Sequence, residues 1–430
     1  MMSIAPRSKK IAFEIVNGGF MEYGMVSSLI PDEYNKKFRL ESKNTMQDAA
    51  NALQWSIYYG LCENLECTFP LFNILPCGSY PQYYKRPFIP RFSFAQKGKN
   101  LNFCNIKLFR NFCKTATLKK EIKKWCKSNK ENKVLFVYTL SQPLLSAIAD
   151  VKKKNKGMHI CAIVADLPDM SNLSSKKSFF LKLYTKYKAK RSYSLLSFID
   201  TFVLLTKQMA DYMRLSQPYL VMEGIAPDPV EKECYVNSTE NSVNSDEKII
   251  LYTGTLHRKF GVMHLLEAFE HIESSDVKLV ICGIGDCENE IRQKAEANNR
   301  IRFMGQLSRE EVLQLHKRAT VLINPRLNNE EYTKYSFPSK TMEYLMSGVP
   351  VVAYKLDGIP DEYDSYISYP TDNAVKTLAD TLNRMCELSE DERLQIGRRA
   401  RLFVSEQKNR RIQTKRILDF VQKSISQDKD

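Results

Sequence analysis

The sequence predicts an α/β protein made of two nucleotide-binding-like domains that face a cleft. Short, continuous apolar runs recur along the chain, and most are followed by turn residues and a helix-compatible segment. Such runs are typical of parallel strands that are buried on both faces, whereas strands with one solvated face alternate. A polar stretch at residues 226–247 separates the runs into two series. In folds of this kind, ligands bind beyond the carboxyl ends of the strands.

The first series is predicted to contain four strands. The opening strand, residues 10–16, ends in Asn17-Gly18-Gly19 and precedes a helix-compatible stretch, as at the start of a nucleotide-binding domain. Residues 40–110 are aromatic-rich and irregular, and their pattern predicts no elements. The other three apolar runs span residues 134–139, 160–164 and 201–205.

The second series is predicted to contain five strands with helices between them. Ser308 with Glu311, and Ser389 with Glu392, have the spacing of capping boxes that begin helices. The five strands span residues 249–252, 277–282, 301–304, 321–324 and 350–353. Two further helices are expected over residues 338–347, ending at Gly348, and over residues 410–423.

These elements predict a domain order along the chain. The expected parts are an N-terminal Rossmann-like domain (1–225), a linker or loop (226–247), a C-terminal Rossmann-like domain (248–405) and a C-terminal helix (406–430).

Composition excludes several classes of protein. The chain has 430 residues, of which 43% are hydrophobic and 26% charged, as in globular proteins and unlike disordered or collagen-like chains. No apolar run is long enough to predict a spanning helix, and residues 1–10 lack the features of a secretory signal. The 11 scattered cysteines favour buried thiols in a reducing cytoplasm. Neither they nor the histidines have a metal-binding spacing, so we expect no metal and no other cofactor.

Positive charge is concentrated in the first half of the chain. Residues 1–225 contain 35 Lys and Arg against 16 Asp and Glu, a balance of +19, whereas residues 226–430 contain 29 against 33, a balance of −4. This asymmetry predicts an anionic partner for the first half. Residues 175–191 would form a basic helix with Phe180, Leu183, Tyr184 and Tyr187 on one face, which suits an anionic membrane surface. A solvated helix face is the alternative, and no nucleic-acid-binding motif is found.

The most specific segment of the chain covers residues 335–352. Pro338 suits the first turn of a helix, where its missing N–H costs nothing. The free N–H groups around Ser339 and Lys340 would then favour an anion such as phosphate. Glu343, one turn later, could accept hydrogen bonds from a ribose diol. An ordinary αβ unit with solvated Lys and Glu side chains is the alternative.

Two glycine-containing loops follow predicted strands of the second series. The first runs from Gly254 to Gly261 and contains Arg258 and Lys259, which could reach a diphosphate. The second begins at Gly283 and could be only a turn. Each loop by itself is weakly specific.

Together these segments resemble the C-terminal domain of glycosyltransferase family 4 over residues 248–365. The shared order is Gly-Thr-Leu, Lys-x-Gly, Ile-x-Gly-x-Gly, Arg-Phe-Met-Gly-Gln-Leu and Phe-Pro-Ser-Lys-x-x-Glu-Tyr-x-x-Ser-Gly-x-Pro-Val-Val. The sequence around Asn324-Pro-Arg326 is similar to that of family members that build bacterial capsules and exopolysaccharides. In the first half the resemblance is looser. The resemblance implies the GT-B fold, with C-terminal helices that cross back to the N-terminal domain, and a retaining, metal-independent enzyme. It also implies that the N-terminal domain (1–225) binds the acceptor and that the C-terminal domain (248–405) binds the nucleotide sugar.

The resemblance also implies roles for individual residues. Arg258 and Lys259 fall where the family places cations on the donor diphosphate, and Glu343 falls on the second Glu of the Glu-x7-Glu motif, which binds the ribose. The remaining donor-binding residues implied are Gly18, Gly19, Gly254, Gly283, Ser339 and Lys340.

Two departures from the family pattern affect the expected chemistry. Tyr335 stands where the family has the first Glu of Glu-x7-Glu, which contacts the transferred sugar. Ala165 stands where many members have a His, so Asp166 becomes the candidate polar group toward the acceptor. A loop cap is the alternative role for Asp166.

The sequence therefore predicts a glycosyltransferase that moves a sugar from a nucleoside diphosphate sugar to a glycan acceptor. The acceptor is expected to be lipid-diphosphate-linked, in surface polysaccharide synthesis, and the enzyme to be cytoplasmic and peripheral at the inner face of the cell membrane. Two alternatives stay open: a GT-B protein that binds a nucleotide or partner without transferring, and a nucleotide-sugar epimerase.

Overall fold

The computed structural model of the chain describes residues 14–16, 19–43, 48–95, 97–127, 132–170, 179–228 and 247–427. Residue contacts divide the chain into two compact units. The first unit consists of Met1–Met222 with Arg410–Asp430, and the second of Glu223–Asn409. Most of the predicted 226–247 linker lies outside the described residues.

The first unit contains one large sheet and a separate two-stranded sheet. Its strands are β1 (Glu14–Val16), β2 (Gly19–Ser27), β3 (Leu71–Asn73), β4 (Phe88–Ile89), β5 (Phe92–Phe94), β6 (Gly98–Asn100), β7 (Phe103–Cys104), β8 (Asn132–Tyr138), β9 (Met158–Val164), β10 (Thr201–Leu204) and β11 (Tyr219–Val221). The large sheet has the order β11-β10-β9-β8-β2-β3-β6-β5, with β1 paired to β2, and β4 pairs with β7. All strands from β11 to β6 in this order are parallel, whereas β1 and β5 pair antiparallel.

Six of the described helices of the first unit precede residue 223. They are α1 (Asp32–Glu41), α2 (Asp48–Asn64), α3 (Arg110–Lys127), α4 (Gln142–Lys152), α5 (Phe179–Tyr193) and α6 (Lys207–Met213). The three apolar runs predicted at residues 134–139, 160–164 and 201–205 are confirmed as the buried strands β8, β9 and β10. α2 and the strands β3 to β7 lie in the segment where the sequence pattern predicted no elements.

The predicted opening of the first unit is confirmed in part: residues 14–16 form a strand, but it is not parallel, and a second strand follows the glycines where a helix was expected. β1 pairs antiparallel with β2 through Val16 and Gly19, so the first parallel strand is β2 and not residues 10–16, of which 10–13 lie outside the described part of the chain. Glu22 and Gly24 interrupt the apolar run of β2, so the sequence pattern did not indicate a buried strand there. In the folded unit Glu22 forms an ion pair with Lys133 and accepts a hydrogen bond from Trp125 Nε1, so its carboxylate is satisfied within the sheet.

The second unit is a five-stranded parallel sheet with helices between its strands. Its strands, in the order β14-β13-β12-β15-β16, are β12 (Lys248–Thr253), β13 (Val277–Cys282), β14 (Ile301–Gly305), β15 (Val321–Asn324) and β16 (Val351–Ala353). Its helices are α7 (Val262–Glu270), α8 (Glu288–Ala297), α9 (Arg309–Arg318), α10 (Ser339–Ser347), α11 (Val375–Glu387) and α12 (Glu390–Gln407). All five predicted strands are confirmed, as are both capping boxes, at the starts of α9 and α12.

The last helix, α13 (Arg410–Gln427), belongs to the first unit, as predicted. Asn64, at the end of α2, donates hydrogen bonds to the Arg411 carbonyl and to Thr414 Oγ1, both at 2.9 Å. Gly60 lets the two helices approach, because a Cβ there would lie 2.6 Å from Thr414 Oγ1. None of the helices described has the length and apolar character needed to cross a membrane.

Candidate functional site

Two loops meet at the carboxyl edge of the second unit's sheet. The Gly254 amide donates to the Cys282 carbonyl at 3.0 Å, and the Leu256 amide donates to the Ile284 carbonyl at 2.9 Å. Gly283 has a φ of 143°, and a Cβ there would lie 1.8 Å from the Gly254 carbonyl oxygen. The structure therefore brings the two predicted donor-binding glycines, Gly254 and Gly283, into direct contact, and Gly283 tolerates no side chain.

Helix α10 is anchored to this edge by Tyr344. The buried Tyr344 hydroxyl donates to the Thr253 carbonyl and accepts from the Thr253 amide, each at 3.0 Å. His316 packs edge-on against the Tyr344 ring, and its Nε2 lies 3.0 Å from Thr253 Oγ1. Burial, reinforced by the Lys340 charge, lowers the pKa of His316 to about 4, so the ring is neutral at pH 7. These contacts hold the middle of α10 against the end of β12.

The first turn of α10 carries three of the predicted site residues. Ser339 is the first helical residue and is exposed, and Pro338 at the N-cap provides no side-chain cap. The Lys340 Nζ lies 2.7 Å from Glu343 Oε2, with each side chain a little over one-third exposed. The predicted phosphate-binding and ribose-binding residues thus form an ion pair with each other, beside a helix N-terminus that favours an anion.

Arg258 and Lys259 have different surroundings, although they are adjacent in the short 3-10 helix Arg258–Phe260. The Arg258 guanidinium donates to both carboxylate oxygens of Glu290 at 2.6 and 2.7 Å, on the exposed surface. Lys259 makes no ion pair in the part of the chain described, and its Nζ lies 5.1 Å from the centre of the Phe260 ring. Burial and the nearby Arg326 lower the pKa of Lys259, and the charges of Asp286 and Glu330 oppose this only in part. Of the two cations, Lys259 is therefore the one that forms no ion pair with a carboxylate among the described residues.

Arg326 lies close to Lys259, and both contact the Phe260 ring. No role was predicted for Arg326 from the sequence. Its guanidinium lies 4.6 Å from the centre of the Phe260 ring, and its buried Nε has no hydrogen-bond partner in the described structure. Burial lowers the pKa of Arg326. Its loop follows β15 and touches the first loop, because a Cβ on Gly261 would lie 1.9 Å from the Pro325 carbonyl oxygen. An arginine two residues after a parallel strand was the available signal, since that edge binds ligands.

Tyr335 precedes the helix start. It is half-buried and ends the short 3-10 helix Glu331–Tyr335, four residues before α10. The buried Thr333 stabilises this turn by donating to the Glu330 carbonyl at 2.6 Å. Tyr335 thus lies in the segment that leads into the first turn of α10.

The first unit contains the other predicted site residues. Gly18 lies outside the described residues, and Gly19 lies at the amino end of β2. The expectation that Gly19 belongs to the loop after the first parallel strand is therefore wrong, because that loop begins after Ser27 at the other edge of the sheet. Asp166 lies two residues after β9, at the carboxyl edge. It is solvent-accessible, yet the surrounding protein desolvates its carboxylate and raises its pKa. The buried hydroxyl of Tyr138, at the end of β8, is electrostatically coupled to it.

Comparisons with known proteins agree with this architecture. Residues 236–403 match the family model "Glycosyl transferases group 1". The protein has the GT-B fold. Two solved structures carry this comparison: sucrose-phosphate synthase from Thermosynechococcus elongatus (TM-score 0.64, 13% identity, 95% of this chain and 100% of that chain covered) and the E. coli trehalose-6-phosphate protein bound with UDP-2-fluoro glucose (TM-score 0.59, 10% identity, 93% and 99% covered).

A further GT-B relative and one sequence relative extend the comparison. Anabaena HepE in complex with UDP has a TM-score of 0.56 at 12% identity, with 93% of this chain and 99% of that chain covered. An uncharacterized glycosyltransferase of Methanocaldococcus jannaschii is 28% identical over 121 residues, which is 27% of this chain and 30% of the relative. The sequence match thus spans less than a third of that relative's length.

The site in the second unit combines features that suit a phosphorylated ligand. Lys259 and Arg326 are two cations that form no ion pair in the described structure, and the N-terminus of α10 adds a partial positive charge. Buried or half-buried cations that lack a carboxylate gain most from a polyanionic ligand, because it restores the interactions lost with water. The described residues contain no group of three His, Cys, Asp or Glu placed to hold a metal ion.

Proposed function

We propose that this GT-B protein is a retaining glycosyltransferase that transfers a sugar from a nucleoside diphosphate sugar to a lipid-linked glycan acceptor. The observation that carries the proposal is the Lys259–Arg326 cation pair, in which neither residue forms an ion pair with a carboxylate of the described structure and the buried Arg326 Nε has no hydrogen-bond partner there. The match of residues 236–403 to the group 1 family supports it. So do two structural relatives that were solved with UDP or a UDP-sugar analogue.

The proposed reaction needs positive charge where the diphosphate departs. As the bond between the anomeric carbon and the diphosphate oxygen breaks, negative charge grows on that oxygen, and Lys259, Arg326 and the α10 N-terminus stabilise it. The acceptor hydroxyl forms the new bond on the same face of the sugar, and its proton passes to the departing phosphate oxygen. This chemistry retains the anomeric configuration and uses no protein nucleophile.

Glu343 and Lys340 take separate roles when the donor is bound. Their ion pair is partly exposed, so opening it costs little. Glu343 would then accept hydrogen bonds from the ribose hydroxyls, and Lys340 would contact the phosphates. Tyr335, just before α10, would contact the transferred sugar. In the first unit, Asp166, at the carboxyl edge of the sheet, would face the acceptor hydroxyl and accept a hydrogen bond from it.

The enzyme is proposed to act at the cytoplasmic surface of a membrane. The first unit carries most of the surplus positive charge of the chain, since residues 1–225 have a balance of +19. On α5, Leu183 and Tyr187 are each 57% exposed, next to exposed lysines. The side chains of Phe180 and Tyr184, and residues 175–178 of the expected basic helix, lie outside the described residues. An exposed apolar face bordered by lysines suits the headgroup region of an anionic bilayer.

A thermal-shift screen against nucleotide sugars tests the proposal. A donor that binds the native state raises its melting temperature, and we expect at least one donor to do so in the wild type but not in Glu343→Ala. Slow release of nucleoside diphosphate from that donor would support transfer over a binding protein, and conversion of free donor to its epimer would indicate an epimerase. Absence of a shift with every donor, or full turnover by Glu343→Ala, would overturn the proposal.

A further inference from the structure

Lys114, on α3 of the first unit, is a buried cation that no carboxylate of the described residues contacts. The residue is only 9% exposed, and its Nζ lies 4.6 Å from the centre of the Phe103 ring. Its electrostatic neighbours are Arg110, Cys77 and Lys188, none of which is an acid, and burial lowers its pKa to about 7. The single acidic residue of α3, Glu121, is bonded to both guanidinium nitrogens of Arg91 at 2.9 Å. A buried ammonium in such surroundings is costly unless an anion joins it.

Arg110 lies one turn before Lys114 on the same face of α3 and shares its surroundings. One guanidinium nitrogen of Arg110 donates to the Cys77 carbonyl at 2.6 Å, whereas its buried Nε has no hydrogen-bond partner in the part of the structure described. Burial lowers the pKa of Arg110 as well. Both cations act on the same buried thiol: they oppose the rise that burial causes in the pKa of Cys77. The two positive groups thus converge beside Cys77.

This cation pair lies at the carboxyl edge of the first unit's sheet. Cys77 is in the loop after β3, and Thr115 Oγ1 donates to the carbonyl of Pro143, in the first turn of the helix that follows β8. Parallel strands in α/β sheets bind ligands beyond this edge. Arg110 is also the first residue of α3, where the helix dipole repels a cation and attracts an anion.

We propose that Arg110 and Lys114 bind a phosphate or diphosphate group of the acceptor. A guanidinium supplies two parallel N–H donors to phosphate oxygens, and an ammonium supplies a point charge, so the pair matches this chemistry. The identification of this phosphate as part of the acceptor rests on the proposed transferase function. The anion site itself can be tested independently of that function. The nucleotide-sugar site lies in the second unit and uses none of these residues.

Large apolar side chains border the pair on its exposed side. Leu108 is 84% exposed and Phe112 is 75% exposed, and Ile106 and Phe109 are also exposed. Surface apolar residues are unremarkable singly, but four within seven positions form a patch. A lipid chain attached to the bound phosphate would cover this patch. A soluble sugar phosphate would supply the same anion without covering it.

Binding of inorganic pyrophosphate, with donor-site anion binding saturated by added nucleoside diphosphate, tests the site. We expect pyrophosphate to raise the melting temperature of the wild type and of Lys120→Met, an exposed lysine on the same helix, but not of Lys114→Met. Titration calorimetry should show at least a 10-fold weaker pyrophosphate affinity for Lys114→Met and for Arg110→Met. Equal affinity in Lys114→Met and the wild type, or no binding by the wild type, would overturn the proposal.

The stability of the unliganded variants separates this role from a structural one. Because Lys114 has no carboxylate partner among the described residues, Lys114→Met should raise the melting temperature, by about 2–4 °C. A fall would mean that the ammonium stabilises the fold through the Phe103 ring, which would contradict the proposal. Arg110→Met, at a half-buried position, keeps the test decisive if Lys114→Met does not fold.

Two ligands distinguish the source of the phosphate. Vesicles that contain phosphatidic acid should bind the wild type more tightly than Lys114→Met, and glucose 6-phosphate should not compete, if the acceptor is lipid-linked. If glucose 6-phosphate binds and the vesicles do not, the anion site stands with a soluble acceptor. Failure of every nucleotide sugar to bind, with pyrophosphate binding intact, would refute the transferase and leave the anion site.

Discussion

The Lys340 ammonium and the Glu343 carboxylate form an ion pair at 2.7 Å in the first turn of α10. The two residues predicted to contact different parts of a nucleotide therefore contact each other in the ligand-free protein. Since both side chains are partly exposed, the pair contributes little to stability, on the order of 0.2–1 kcal/mol. It can open when phosphate and ribose compete for its two ends.

Glu343→Gln should separate binding from stability. The substitution removes the charge that would accept ribose hydrogen bonds, so we expect the donor dissociation constant to rise about 10-fold or more. The free energy of unfolding should change by less than about 1 kcal/mol, because the lost ion pair is solvated. Calorimetric titration and denaturant unfolding measure the two quantities. A large loss of stability with unchanged donor affinity would show that the residue is structural.

Arg326→Met should impair the enzyme more than Arg258→Met. Arg326 is buried beside Lys259 without a carboxylate in the described structure, whereas Arg258 is bonded to Glu290 at the surface. Loss of a charged hydrogen bond to the diphosphate corresponds to about 1.5–3 kcal/mol, or roughly 10- to 150-fold in kcat/KM. Arg318→Met, at an exposed position on α9, serves as the control. The reverse order of the two effects would place the diphosphate at Arg258.

His316 should make the protein less stable in acid. Its folded pKa is about 4 against an ordinary value of 6.5, so the unfolded chain binds the extra proton between these values. Stability is therefore fully present above pH 6.5 and is lost as the pH falls toward 4, by about 3 kcal/mol at most. His316→Gln should flatten this part of the dependence in denaturant midpoints measured between pH 4 and 7. A variant with the same slope as the wild type would show that other groups cause it.

Gly283→Ala should disrupt the two loops at the donor edge. The new Cβ would lie 1.8 Å from the Gly254 carbonyl oxygen, and the φ of 143° is already unfavourable for alanine. We expect a loss of more than about 2 kcal/mol in stability and loss of donor binding. Gly157→Ala is the matched control, because its Cβ would meet nothing within 4 Å. The melting temperatures of both variants, measured with and without donor, check this. Equal melting temperatures and equal donor-induced shifts would show that position 283 tolerates a side chain.

Much of the second unit was predictable from local pattern. Its strands are continuous apolar runs, and the helix caps at Ser308 and Ser389 are decided by residues three positions apart. Gly348 ends α10 in the left-handed conformation, with a φ of 78°, which glycine adopts without a steric cost. Such features depend on neighbours in the chain, so the sequence alone specifies them.

The first unit was less predictable because its signals are long-range. β2 carries Glu22 in the middle of a buried sheet. Its carboxylate is satisfied there by Lys133 and Trp125, which are more than 100 positions away in the chain. The strands and helix between residues 40 and 110 are short or aromatic-rich, and their pairing depends on partners elsewhere in the chain. No periodicity within the segment could reveal them.

Local sequence patterns were sufficient to predict the α/β class, the alternation of strands and helices in the second unit, and the segment that begins α10. Which charges are available to a ligand depends on folding. In the folded chain Arg258 is bonded to Glu290, Arg326 lies beside Lys259, and Arg110 and Lys114 lie together without a carboxylate partner among the described residues. The reason is physical: a residue's type states its charge, but the charge is neutralised or left free by partners that are distant in the chain and become neighbours on folding.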